Sequence, residues 1–190
     1  ISLSNVLSSG LMFTLPHMLR QVSSELSIVV AFVLSIINIV SILVRSLSTF
    51  YLPKLKNVQY ESTELKLVFK KFVKLNIFLV SFIMMTIGAF SYISNVHYRL
   101  ELCILFMSFL FNFYNLPYSN LFLLKNKNTL MLNINIISSI PFLLSIVWVN
   151  WTSLSTYSGF LLLIGFLIMS LVRLASTIYF SNAKVLKCLY

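Results

Sequence analysis

A chain of 190 residues that is 59% hydrophobic and 9% charged, with a mean hydropathy of +0.95, is not dressed for water, because a soluble domain carries about 25% charged residues. Fourteen Lys and Arg stand against four Asp and Glu, for a net charge of +10, and between long apolar runs that excess points to anionic lipid before nucleic acid. Four acids, two histidines and two cysteines assemble no carboxylate pair, activated serine, Cys/His pair or metal set, so an enzyme is not expected and no cofactor, metal or disulfide is implied.

The chain opens at Ile1, and its first stretch lacks the basic start and small-residue cleavage site of a secretory signal; the expectation is that it begins within a longer protein. A helix needs about 20 mainly apolar residues to cross the hydrocarbon core with every backbone group bonded internally. Six runs are read as crossings, at about 3–19, 26–52, 72–94, 100–124, 130–149 and 157–181. The first is the weakest, since it carries several serines, Asn5, Gly10 and Pro16. The fold class expected is therefore an all-α integral membrane protein, a single bundle of about six transmembrane helices spanning 1–190.

Between the second and third crossings lies a basic loop, 53–71. Beside it, the stretch 61–74 sets Leu65, Phe69 and Phe72 at helical spacing against Glu64, Lys66, Lys70 and Lys71, and reads as an amphipathic helix on the inner membrane surface that feeds the third crossing, with Thr63 as N-cap and Ser62 or Glu64 as alternatives one residue away. Strict alternation of six crossings puts Lys54, Lys56, Lys66, Lys70, Lys71, Lys74, Lys125, Lys127, Lys184 and Lys187 on one side. That side is cytoplasmic by the positive-inside rule, with both ends of the chain there. Arg20 and Arg99 fall on the other side. Trp148, Trp151 and Tyr157 flank an external turn, where indole and phenol rings prefer to sit.

The remaining two basic residues, Arg45 and Arg173, fall inside apolar runs. An arginine well inside a crossing costs about 2.5–3.5 kcal/mol on insertion scales unless it snorkels, pairs or faces water. Both lie at matching depth, about 12 Å from the cytoplasmic end of an inward-running helix. Two readings are open: the arginines snorkel to the headgroups, or they line a cationic, water-filled cavity that holds an anionic group. No acid lies within a crossing to neutralise them, since Glu25, Glu61, Glu64 and Glu101 are all at or near loops. Asn112, Asn115 and Asn120 in the fourth crossing and Asn133 and Asn135 in the fifth need partners, either as interhelical glue or as a polar cavity lining formed by Asn112, Asn115 and Asn133. Pro117 and Pro141 each remove one backbone hydrogen bond and are expected to kink their helices. His17 and Glu101 read as interfacial residues. Lys, Asn and Ile are abundant and glycines number only four, a bias of AT-rich coding, so single Asn or Lys residues carry little weight.

The stretch Arg45-Ser-Leu-Ser-Thr-Phe-Tyr-Leu-Pro-Lys-Leu-Lys56, followed by a Lys-rich amphipathic segment entering the next crossing, resembles the polysaccharide (O-antigen, Wzx-type) flippases of the MATE-like superfamily. In that family an apolar helix ends in a Pro-x-Leu type motif, matched here by Pro53 and Leu55. The segment from Leu15 and Pro16 to Glu25, the break at 125–128 and the basic tail are similar in placement. The resemblance implies one six-helix lobe of a two-lobed transporter in the bacterial inner membrane. It implies an undecaprenyl-pyrophosphate-linked oligosaccharide as substrate and a second lobe as partner, with Arg45 and Arg173 sharing the role of the cationic cavity. A multidrug exporter of the same superfamily and a non-transporting membrane scaffold are the alternatives; the exporter would be expected to carry an acidic or other cation-binding residue within its crossings.

Overall fold

The computed structural model describes residues 14–57, 63–94, 96–124, 127–151 and 157–181. Most of the expected first crossing, 3–19, lies outside them, and so do Lys125, Lys184, Lys187 and Cys188; residues 14–20 are helical and are labelled α1. The helices that follow are α2 (Ser24–Asn57), α3 (Thr63–Ser94), α4 (Arg99–Leu124), α5 (Asn128–Trp151) and α6 (Ser158–Phe180), with a short 3-10 turn at Val96–Tyr98. Five of these, α2 to α6, are long and apolar enough to cross a membrane, and the described residues contain no strand. The architecture is an all-α, multi-pass membrane bundle.

Side-chain contacts set the register of the bundle. Tyr51 stacks on Phe72 with ring centroids 5.0 Å apart, joining the end of α2 to the start of α3. Phe69 meets Tyr118 edge-on at 5.6 Å, and the carboxamide of Asn76 reaches the carbonyl of Phe113, so α3 and α4 run antiparallel. Phe109 packs on Phe166, and Asn112 and Asn115 bond Ser170 and Thr177, so α4 and α6 run parallel. Phe142 on Phe166 and Arg173 on Ser138 make α5 antiparallel to α6. At the start of the bundle the Ser27 hydroxyl donates to the Pro16 carbonyl at 2.9 Å, and the Tyr98 hydroxyl donates to Glu25 Oε2 at 3.0 Å.

This register gives the bundle two chemically different ends. Exposed Lys54, Lys70, Lys71, Lys74 and Lys127 mark one end, with the Lys54 ammonium 3.8 Å from the centre of the Phe50 ring. Trp151 and Tyr157, 86% and 77% exposed, mark the other. The two ends are called the lysine end and the tryptophan end below.

Helix α2 buries one seam, Leu26, Val30, Val33, Ile37, Val40 and Val44, at alternating spacings of four and three, the pattern by which a single stripe meets a neighbouring helix. The rest of its surface shows Ile28, Phe32, Ile39, Ile42, Leu43 and Phe50 outward, and α3 shows Phe78, Phe82 and Met85. A monomer in water rarely exposes so continuous an apolar surface, whereas hydrocarbon solvates it. At 34 residues α2 is about 51 Å long, well beyond a hydrocarbon core of about 30 Å. It runs through Pro53 to Asn57.

From Thr63 on, the amphipathic stretch read as feeding the third crossing is the first part of α3, which is continuous to Ser94. The reason lies in its spacing: no Gly or Pro precedes Gly88, and the stripe through Phe69 and Phe72 runs on into buried Asn76, Val80 and Met84 without a change of face.

Two separate cores fill the bundle. The larger joins α1 to α6 through residues such as Leu19, Val33, Val80, Phe109, Phe142 and Phe166. The smaller, at the lysine end, consists of Phe122, Met131 and Ile134 with Leu130 and Phe180 against them. Close approach holds α5 to α6: a Cβ built on Gly165 would lie 2.7 Å from Ser145 Cβ and 3.4 Å from Phe142 Cα, so only glycine fits there.

Candidate functional site: a buried arginine in a polar layer

Between the two cores lies a layer of polar side chains contributed by α4, α5 and α6. Its centre is Arg173, 4% exposed and seven residues before the end of α6, about 10 Å from that end along the helix axis. Ser170, Arg173 and Thr177 recur at helical spacing and are all buried, so α6 turns one polar stripe inward.

The guanidinium is framed by neutral oxygens. Nε donates to Ser138 Oγ on α5 at 3.4 Å, and Nη1 donates to Asn112 Oδ1 on α4 at 3.5 Å. Both distances are long for a hydrogen bond. Both acceptors are also engaged elsewhere: the Ser138 hydroxyl donates to the Asn135 carbonyl at 3.1 Å, and Asn112 Nδ2 donates to Ser170 Oγ at 2.9 Å. The Ser170 hydroxyl in turn donates to the Phe166 carbonyl at 2.9 Å. One turn nearer the lysine end, the Thr177 hydroxyl meets Asn115 Oδ1, and Asn115 is itself 5% exposed. Helices α5 and α6 contain no acid, and Glu101, the one acid in α4, is at its opposite end.

Of the residues expected to form a cationic cavity, the structure gathers three and separates two. Arg173, Asn112 and Asn115 belong to one network. Arg45 is exposed on α2, and no described contact joins it to Arg173. Asn133 is exposed on α5, and the amide that faces inward there is Asn135, 2% exposed, because two residues along a helix turn a side chain by more than half a circle. Sequence reasoning misses Ser138, Ser170 and Thr177, and also Asn76, which is fully buried on α3. A signal for the first set exists in the stripe Ser170, Arg173, Thr177, since polar residues at three- and four-residue spacing around a deep arginine share its face.

Among the described residues no group of three or more His, Cys, Asp or Glu side chains comes together. What Arg173 and its neighbours offer is recognition. A guanidinium's planar fork matches phosphate or carboxylate oxygens, and amide and hydroxyl groups beside it bond the neutral parts of a polar ligand. The chain matches no family model, no curated protein and no solved structure.

The Asn115–Thr177 contact gives a direct check on the layer. Thr177→Val removes the hydroxyl and strands a buried amide oxygen, with an expected loss of about 1–2 kcal/mol, while Thr177→Ser should cost less than half as much. Thermal unfolding in detergent reads both; equal losses would mean that the methyl group, rather than the hydroxyl, holds α4 to α6.

Proposed function

We propose that this chain is one lobe of a flippase that moves an undecaprenyl-pyrophosphate-linked oligosaccharide from the cytoplasmic to the periplasmic leaflet of a bacterial inner membrane. The observation that carries the reading is Arg173, a cation buried deep in a membrane span and surrounded by neutral hydrogen-bonding groups. A charge in that position is costly and rare, and such residues mark substrate pathways in membrane proteins. A pyrophosphate fits a site that holds a fixed positive charge beside amide and hydroxyl groups, and its lipid tail would stay in the hydrocarbon that surrounds α2 and α3.

The lysine end is then cytoplasmic, in keeping with Lys54, Lys70, Lys71, Lys74 and Lys127 there and Trp151 and Tyr157 opposite. Arg173 is closed over in the conformation described, so substrate entry requires α4 and α5, which touch each other little while both pack closely on α6, to part in front of it. A partner lobe has a natural place against α2. Asn38 and Arg45 are two turns apart on one exposed face of that helix, and an amide at mid-membrane calls for protein or water rather than lipid.

The exporter reading lacks an acid deep within a span: among the described residues, Glu25 and Glu101 lie in the first turns of their helices. A scaffold remains the rival, because polar layers also glue helices together. Complementation in cells lacking their own O-antigen flippase separates the two. The complete gene is expected to restore surface polysaccharide, and a failure at normal protein level would favour the scaffold. In the same cells, cysteine at position 45 should react with a water-soluble thiol reagent if α2 lines an aqueous cleft; protection from the reagent would place that face against lipid or protein.

A further inference from the structure

Pro117 lies inside α4 and has no backbone N–H, so the carbonyl four residues earlier, on Phe113, loses its helical donor. A backbone carbonyl stranded in an apolar interior is costly, and it needs a replacement. The replacement comes from another helix: Asn76 of α3, fully buried, donates its Nδ2–H to the Phe113 oxygen at 3.0 Å. One residue along, Tyr114 of α4 bonds the Ser81 hydroxyl of α3, so the break in α4 is fastened to α3 by side chains.

The break also coincides with a boundary in packing. Residues of α4 up to Leu116 pack in the larger core, whereas Phe122 belongs to the smaller core with Met131 and Ile134 of α5 and with Phe180 of α6. The polar layer around Arg173 lies at the same level, with Asn112 before the break and Asn115 inside it. The lysine-end part of α4 is thus joined to the rest at a point where a backbone bond is missing, one core gives way to another and polar contacts to α3 and α6 hold the helix.

We infer that Asn76 is the clasp of a proline hinge in α4, a positioning residue that holds the lysine-end segment and its small core against the main bundle and so keeps Asn115 in contact with Thr177. A backbone bond within a helix opens only when the helix opens, but a bond supplied by a neighbouring helix is released when α3 slides past α4. The clasp is also only half satisfied. Asn76 Oδ1 is buried with no hydrogen-bond partner among the described residues, which offsets part of what the Nδ2 bond contributes. This inference stands independently of any substrate.

The test is a cycle of Asn76→Leu, Pro117→Ala and the double variant, made in the full chain with Cys103 and Cys188 replaced by Ser. Pro117→Ala restores the N–H that the Phe113 carbonyl needs. Asn76→Leu should therefore lower the melting temperature in detergent by about 2–4 °C in the parent, and by less than a third of that in the Pro117→Ala background. Spin labels at positions 70 and 127 read the hinge itself. A single narrow distance is expected in the parent, a broadened or second distance in Asn76→Leu, and a narrow one again in the double variant. Equal melting shifts in both backgrounds, or one distance distribution throughout, would overturn the clasp. Should Asn76→Leu fail to fold, recovery of folding by Pro117→Ala supports the clasp, and failure of both variants rejects it.

Discussion

Arg173→Met is expected to leave the bundle as stable as the parent, or more stable by about 1–2 kcal/mol, while reducing transport of a lipid-linked oligosaccharide at least about tenfold. The two effects have different physical origins. Stability holds because an apolar side chain of similar volume avoids the cost of desolvating a buried charge, and the acceptors Ser138 and Asn112 keep other bonds, to the Asn135 carbonyl and to Ser170. Methionine fills much of the same volume without a charge to desolvate. Transport falls because no other cation lies among the described residues of the α4–α6 layer to take a pyrophosphate. Arg173→Lys keeps the charge and loses the fork, so it should retain part of the activity. Surface polysaccharide in the complementation assay and melting of the purified variant give both readouts. A large stability loss with Met would make the arginine structural glue, and full activity with Met would remove it from the pathway.

The second large effect is at Gly165. Leucine there would drive a side chain into Ser145 and the backbone at Phe142, neither of which is the free end of a flexible chain, so α5 and α6 must separate. The expected cost is about 2–3 kcal/mol, at the upper end for overpacking, because the clash begins at Cβ. Gly165→Ala should already be measurably destabilising, since its Cβ meets Ser145 Cβ at 2.7 Å, and pairing it with Ser145→Gly should recover most of the loss. Gly159 offers the contrast. A Cβ there approaches Leu26 Cδ2 at 3.1 Å, the end of a side chain that can turn aside, so Gly159→Ala is expected to cost under about 1 kcal/mol. Melting in detergent compares the four variants. Equal losses at 159 and 165 would show that the α5–α6 approach does not set the cost, since helix propensity favours alanine at both positions.

Hydropathy locates the five spans α2 to α6 because the solvent imposes that pattern: hydrocarbon accepts no unsatisfied backbone, so each crossing must be a long apolar helix. The same requirement singles out Arg173, since a deep charge violates it. What sequence reading leaves open is how such elements meet their neighbours. The amphipathic stretch at 61–74 reads as feeding the third crossing, and from Thr63 on it is continuous with α3, its apolar stripe running into buried Asn76, Val80 and Met84. Asn76 escapes notice because an asparagine-rich composition lowers the weight of any single Asn. Its importance comes from Phe113, 37 residues away, which needs a donor only because Pro117 follows four residues later.

The sequence by itself determined the solvent of this protein, its helical class, the approximate extent of α2 to α6 and the presence of two arginines within apolar runs, because each follows from local composition set against a fixed apolar thickness. Only the tertiary structure decided that Arg173 faces α4 and α5 while Arg45 faces outward, that Asn135 rather than Asn133 turns inward, and that Asn76 completes the broken bond of α4. Those choices depend on the rotation and register of one helix against another, which side-chain packing at contacts such as Gly165 on Ser145 fixes and which no local pattern of apolar residues contains.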